Sequence, residues 1–109
     1  LAAFPSRAPE SYGLVVDEAF ALGLPVLVSD SGALPERICP RGSGWPAAGQ
    51  VLPACNPRAW ADAITTLVRD PAVITRWRAA LPSTMPSPRE ATSLLLPLYH
   101  EILPPTGKP

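Results

Sequence analysis

Glu10-Ser11-Tyr12-Gly13-Leu14-Val15-Val16-Asp17-Glu18-Ala19-Phe20-Ala21-Leu22-Gly23-Leu24-Pro25-Val26-Leu27-Val28-Ser29-Asp30 is the stretch that decides the fold. Its first half reads as a helix from about Tyr12 to Leu22, with Ser11 as N-cap and Gly23 as the stop. Leu14, Val15, Val16, Ala19, Phe20, Ala21 and Leu22 would cover nearly every side of that helix, which predicts a buried one. Its second half, Pro25 to Ser29, is a short and continuously apolar run between turn signals. A parallel strand covered on both faces looks like this. Glu18 stands out because a carboxylate on a buried helix is costly unless it meets hydrogen-bond donors. A ligand's hydroxyls are one source of donors, and a neighbouring arginine is another.

Outward from this stretch, Leu1 to Phe4 reads as the tail of a buried strand stopped by Pro5, followed by a loop to Pro9. Asp30-Ser31-Gly32 is a turn, Leu34 to Ile38 a short helix, Pro40 to Gly49 a loop, and Gln50 to Leu52 a third short strand. Three helices follow. Trp60, Ile64, Leu67 and Val68 form the apolar face of the first, and Val73, Ile74, Trp77 and Leu81 that of the second. The third runs from Pro88 to about Leu103, with a kink or break expected at Pro97. Residues 104–109 read as a frayed tail. The sixteen prolines do not imply disorder. Asn56-Pro57, Asp70-Pro71 and Ser87-Pro88 each set a capping residue before a proline at a first helical position. Ser87 and Glu90 also match a capping box.

The alternation of strand and helix argues for an α/β unit with a parallel sheet. Three short strands are fewer than the roughly five or six of a doubly wound sheet, and the chain opens inside a strand. The expectation is the C-terminal part of a larger Rossmann-like sheet domain (residues 1–85), followed by a C-terminal helix (residues 86–103). An unpaired sheet edge would then be an aggregation hazard.

Composition excludes several classes. With 109 residues the chain is one domain at most, and nine basic residues balance nine acidic ones, which makes no case for nucleic acid or an anionic membrane. No run approaches the ~20 apolar residues of a membrane span. Cys39 and Cys55 are too few for a zinc site and read as free thiols, although spacing alone does not exclude a disulfide. His100 reads as an exposed helix residue, Trp60 and Trp77 as core, and Trp45 as packing. Glu36 reads equally as a surface or a site residue. Gly42-Ser43-Gly44-Trp45-Pro46-Ala47 formally fits a dinucleotide fingerprint, but no apolar strand precedes it.

The segments Pro5 to Glu10, Tyr12-Gly13-Leu14, Glu18 to Asp30 and Gly32-Ala33-Leu34-Pro35-Glu36 together resemble the C-terminal nucleotide-sugar domain of GT-B glycosyltransferases, the retaining family 4 (group 1) above all. Gly44-Trp45, Pro57 to Asp70 and Tyr99 to Leu103 extend the resemblance over nearly the whole chain, and residues 1–36 are its specific part. The resemblance implies a sugar transferred from a nucleoside-diphosphate-sugar donor to a glycan, lipid or small-molecule acceptor. It implies that Glu18 takes the ribose hydroxyls and that Glu10, the catalytic candidate, lies near the donor sugar and its leaving phosphate. Ser11, Tyr12, Gly13 and Leu14 would cradle the diphosphate. No cofactor and no metal are expected. The acceptor-binding N-terminal domain and its diphosphate-neutralising Arg and Lys lie outside this sequence. Arg7 is the one nearby cation, and it is not given that role. The fragment alone is expected to be inactive, and the location cytoplasmic, with any peripheral membrane attachment made through the N-terminal domain. The bent last helix of this fold, crossing back to the other domain, would suit Pro97. A GT-B sugar-nucleotide epimerase and a non-catalytic binding module are the alternatives.

Overall fold

The computed structural model describes residues 1–38, 48–83 and 87–103. In chain order these form β1 (Ala2–Phe4), α1 (Leu14–Ala21), β2 (Val26–Ser29), α2 (Leu34–Ile38), β3 (Gly49–Leu52), α3 (Pro57–Arg69), α4 (Ala72–Ala79) and α5 (Pro88–Ile102). Among the described residues the sheet is parallel with order β1-β2-β3. Ala2 is paired with Val26, and Val26 in turn with Gly49.

The middle strand is buried along its whole length, as the apolar run Pro25 to Ser29 requires. Side chains alternate between faces of a strand, so the two sides of β2 build two cores. Val26 and Val28 pack with Val16, Ala19 and Phe20 of α1 and with Leu34 and Ile38 of α2. Leu27 packs on the opposite side with Leu52 of β3 and Trp60, Ala63 and Leu67 of α3. Gly49 lets β3 approach: a Cβ there would lie 2.1 Å from the Val26 carbonyl oxygen.

The helices depart from the sequence expectation in instructive ways. α1 buries one face only, through Val16, Ala19 and Phe20, while Leu14 and Leu22 are 62% and 75% exposed. The sheet and α2 cover one side of the helix and leave the other in solvent, so Glu18 is exposed rather than buried. The helix begins at Leu14, not Tyr12, and Ser11 is not its cap. Gly13 holds the N-cap position with φ 77°, without a side-chain cap. That left-handed backbone suits glycine and interrupts right-handed helix at this point. In α3 the buried residues are Trp60, Ala63 and Leu67, whereas Ile64 and Val68 are 45% and 73% exposed. The Trp60 indole N–H donates to the Pro53 carbonyl at 2.9 Å. Val73, Ile74 and Trp77 of α4 join this core, but Leu81 packs on the α1–α2 side of the sheet.

Asn56 caps α3 ahead of Pro57, accepting from the Ala59 amide at 3.1 Å. Asp70 accepts from the Ala72 amide at 3.2 Å, one position short of its expected cap, because Pro71 itself occupies the N-cap of α4. Ser87 and Glu90 form the full capping box of α5. α5 runs through Pro97 without a break, although the proline leaves the Ser93 carbonyl without its helical donor. It carries no buried residue, and His100 is exposed on it. No helix among the described residues is long and apolar enough to cross a membrane. Cys55 is an exposed free thiol. Cys39, Trp45, the segment 42–47 and the tail 104–109 lie outside the described residues.

Two measurements check this framework. Gly49→Ala should lower stability by about 1–3 kcal/mol in a denaturant titration, because β3 must move off β2 to admit a methyl group. The Ser87 amide holds the Glu90 carboxyl below its ordinary range. The cap's contribution is therefore complete above the usual glutamate pKa and is lost as pH falls through the lowered one. An NMR titration should place the Glu90 midpoint below that of an ordinary glutamate, and Ser87→Ala, which removes the hydroxyl's smaller share and keeps the amide, should move it part of the way back up.

Candidate functional site

In a parallel α/β sheet the loops at the carboxyl ends of the strands gather on one side and form the binding crevice. Here β1 ends at Phe4 and β2 at Ser29, so the loop 5–13 and the turn 30–33 meet. Their contact is close. The Ala33 amide donates to the Glu10 carbonyl at 2.8 Å. Gly32, at φ 58°, lies so near that a Cβ would sit 2.3 Å from the Glu10 carbonyl oxygen and 2.4 Å from its nitrogen. The backbone of Glu10 is thus pinned by the start of α2, while its side chain is exposed.

Glu10 lines a groove of about 310 Å³ together with Phe4, Pro5, Ser6, Val15 and Leu34. Val15 lies in the first turn of α1, and Glu18 follows it on the same side one turn later. The Glu10 and Glu18 carboxylates accept no hydrogen bond from another side chain or amide among the described residues. Both carboxylates are exposed at this end of the sheet and accessible to hydroxyls from outside.

The other expected site residues divide. Ser11, Tyr12 and Leu14 are exposed, whereas Gly13 is buried. A Cβ on Gly13 would meet Leu34 Cδ2 at 3.0 Å and Arg37 Cγ at 3.5 Å, so its missing side chain serves the packing of α2 on α1. The Val16 amide is bonded to the Gly13 carbonyl, which leaves the amides of Leu14 and Val15 without an intrahelical acceptor. Asp30 is taken up structurally: its carboxylate accepts from the Ala54 amide at 2.8 Å, and its own amide donates to Leu52 at 2.9 Å. Glu36 is exposed on α2.

One cation reaches this region that the linear sequence does not place there. Arg37 pairs with Asp17 of α1, and its guanidinium carbon lies 4.6 Å from the centre of the Tyr12 ring. The bond to Asp17 holds the guanidinium above its usual pKa, against the opposing effect of burial. Asp17 and Arg37 stand on different helices with a strand between them, so no local spacing signals the pair. Gly32→Ala should displace Glu10 and lower stability by about 1–3 kcal/mol, with amide shifts at Glu10 and Ala33 in NMR spectra.

Residues 1–82 match the family described as glycosyl transferases, group 1. Among curated relatives, a D-inositol 3-phosphate glycosyltransferase of Kineococcus radiotolerans is 39% identical over 66 residues, 58% of this chain and 15% of that protein. The protein of the same name from Corynebacterium glutamicum is 41% identical over 61 residues, 56% of this chain and 13% of the relative. A phosphatidyl-myo-inositol mannosyltransferase of Mycobacterium leprae is 37% identical over 76 residues, 70% of this chain and 19% of the relative. No solved structure matches. The chain thus spans less than a fifth of the length of these relatives. Its parallel sheet, the groove at the carboxyl end of β1 and the family match over residues 1–82 agree: the chain belongs to the group 1 glycosyl transferases.

Proposed function

We propose that the protein carrying this chain transfers a sugar, with retention, from a nucleoside-diphosphate-sugar donor to an acceptor, and that this chain holds the donor. The observation that carries the reading is the pair of exposed carboxylates, Glu10 in the groove at the end of β1 and Glu18 a turn beyond the groove-lining Val15. Glu18 has two acceptor oxygens, and a ribose presents two adjacent hydroxyls, so one carboxylate can take both. Exposure makes it accessible to them, and it gives up only water in the exchange. Glu10, on a backbone pinned by Gly32 and Ala33, faces the donor sugar and its leaving phosphate.

The start of α1 completes the arrangement. The amides around Ser11 to Leu14, with the positive end of the helix behind them, receive the diphosphate. Donors fixed in advance stabilise the charge that grows on the departing nucleoside diphosphate. Tyr12 borders this start, and Gly13 sets its geometry. The acceptor is a glycan, a lipid or a small molecule bound by a separate N-terminal domain, and without that domain the chain is inactive. The relatives above are named for inositol 3-phosphate and phosphatidyl-myo-inositol, which makes inositol-bearing acceptors the first to assay.

Calorimetric titration of the full-length protein with UDP, GDP and ADP tests the donor site. One nucleotide should bind, and Glu18→Ala should weaken it by about tenfold or more, from the loss of roughly 1.5–3 kcal/mol per hydrogen bond to a charged group. Failure of all three to bind would identify a non-catalytic module instead.

A further inference from the structure

We infer that Arg37 is a positioning residue for the donor site, holding Tyr12, Gly13 and the first turn of α1 in the arrangement that receives the diphosphate. The inference rests on the donor-site reading of that segment. Three contacts converge on it. The Arg37 guanidinium pairs with Asp17, inside α1. It stacks on Tyr12, ahead of the helix, at 4.6 Å from the ring centre. Its aliphatic stem borders Gly13, the N-cap residue between them.

Local sequence does not hold this segment in place. α1 has no side-chain cap, and it starts from a glycine in the left-handed region, the residue with the most conformational freedom to lose. Restraint must come from outside, and α2 supplies it at both of its ends. Gly32 and Ala33, just ahead of α2, fix the backbone of Glu10. Arg37, in its last turn, fixes Tyr12 and Asp17. The stretch from Glu10 to Asp17 is thereby clamped at two points.

Arginine suits the task for a specific reason. A planar guanidinium can lay its face on an aromatic ring while its edge bonds a carboxylate. A lysine ammonium can pair with Asp17 but cannot stack in the same way. The Arg37 and Asp17 side chains are only 28% and 22% exposed, so the pair is screened less than one on the surface. The placement leaves the Arg37 Nε buried without an acceptor among the described residues. The side chain is thus held where it is by Asp17 and Tyr12, against the preference of that N–H for water. With its charge committed to Asp17, Arg37 acts through the segment and not by touching the donor.

The test uses the full-length protein and the same titration with UDP, GDP and ADP. Arg37→Ala should raise the Kd of the bound nucleotide by roughly tenfold with unchanged stoichiometry, because binding must then order a segment that Arg37 had held in place. Arg37→Lys should recover part of the affinity. Asp17→Asn keeps the side-chain volume and should reproduce the loss, so it decides the matter if Arg37→Ala does not fold. A purely structural Arg37 would lower the melting temperature and the binding stoichiometry while leaving the Kd alone, and that result would overturn the inference. Glu18→Ala separates the two readings. If Glu18→Ala weakens binding and the Arg37 and Asp17 variants do not, this inference fails and the donor site stands. If the wild-type protein binds none of the nucleotides, both fall.

Discussion

Everything in this molecule hangs on the burial of β2 from both sides. Its residues Val26, Leu27, Val28 and Ser29 are all buried, and parallel partners occupy both of its edges. A strand in that position must have helices on both faces, because each face is apolar and neither can meet water. α1 and α2 therefore lie on one side and α3, with α4, on the other. Parallel pairing also aims the strands the same way, so the loops after β1 and β2 end together. The groove at Glu10 follows from that geometry before any side chain in it is considered.

α2 shows how a helix of five residues serves the core and the loop ahead of α1 at once. Leu34 and Ile38, one turn apart, go into the core. The residues leading into it, Gly32 and Ala33, hold the main chain of Glu10, and Arg37 on its outer side holds Asp17 and Tyr12. Glu10 thus has a fixed backbone and an exposed carboxylate. Asp30, equally prominent in the sequence, differs, because its carboxylate accepts from the Ala54 amide and joins the end of β2 to the end of β3.

Much of the fold was legible because its signals are local. Pro25 to Ser29 read as a two-face strand from its unbroken apolar run. Leu34 to Ile38 read as a short helix. Asn56-Pro57 and Ser87-Pro88 marked helix starts because a capping side chain and a fixed proline φ act within one turn. The errors came where tertiary cover decides. Seven apolar residues suggested that α1 would be buried all round, yet among the described residues it buries one face, through Val16, Ala19 and Phe20. Ile64 and Val68 fit the helical period of α3 as well as Ala63 does, but the sheet meets the face that carries Ala63. Periodicity gives the existence of an apolar side and not its rotation relative to the rest of the molecule.

The sequence by itself determined the parallel α/β plan, the positions of its strands and capped helices, and the two glutamates flanking the start of α1. Those features depend on residue order over a turn or two, where propensity and capping act. Only the tertiary structure decided that Glu18 faces solvent, that Gly13 is a packing residue, that Gly32 abuts Glu10, and that Arg37 reaches Tyr12 and Asp17. Each of these is a contact between segments brought together by the closing of helices over a shared strand. No spacing along the chain encodes the distance between two such surfaces, because that distance is set by the side chains that fill the core beneath them.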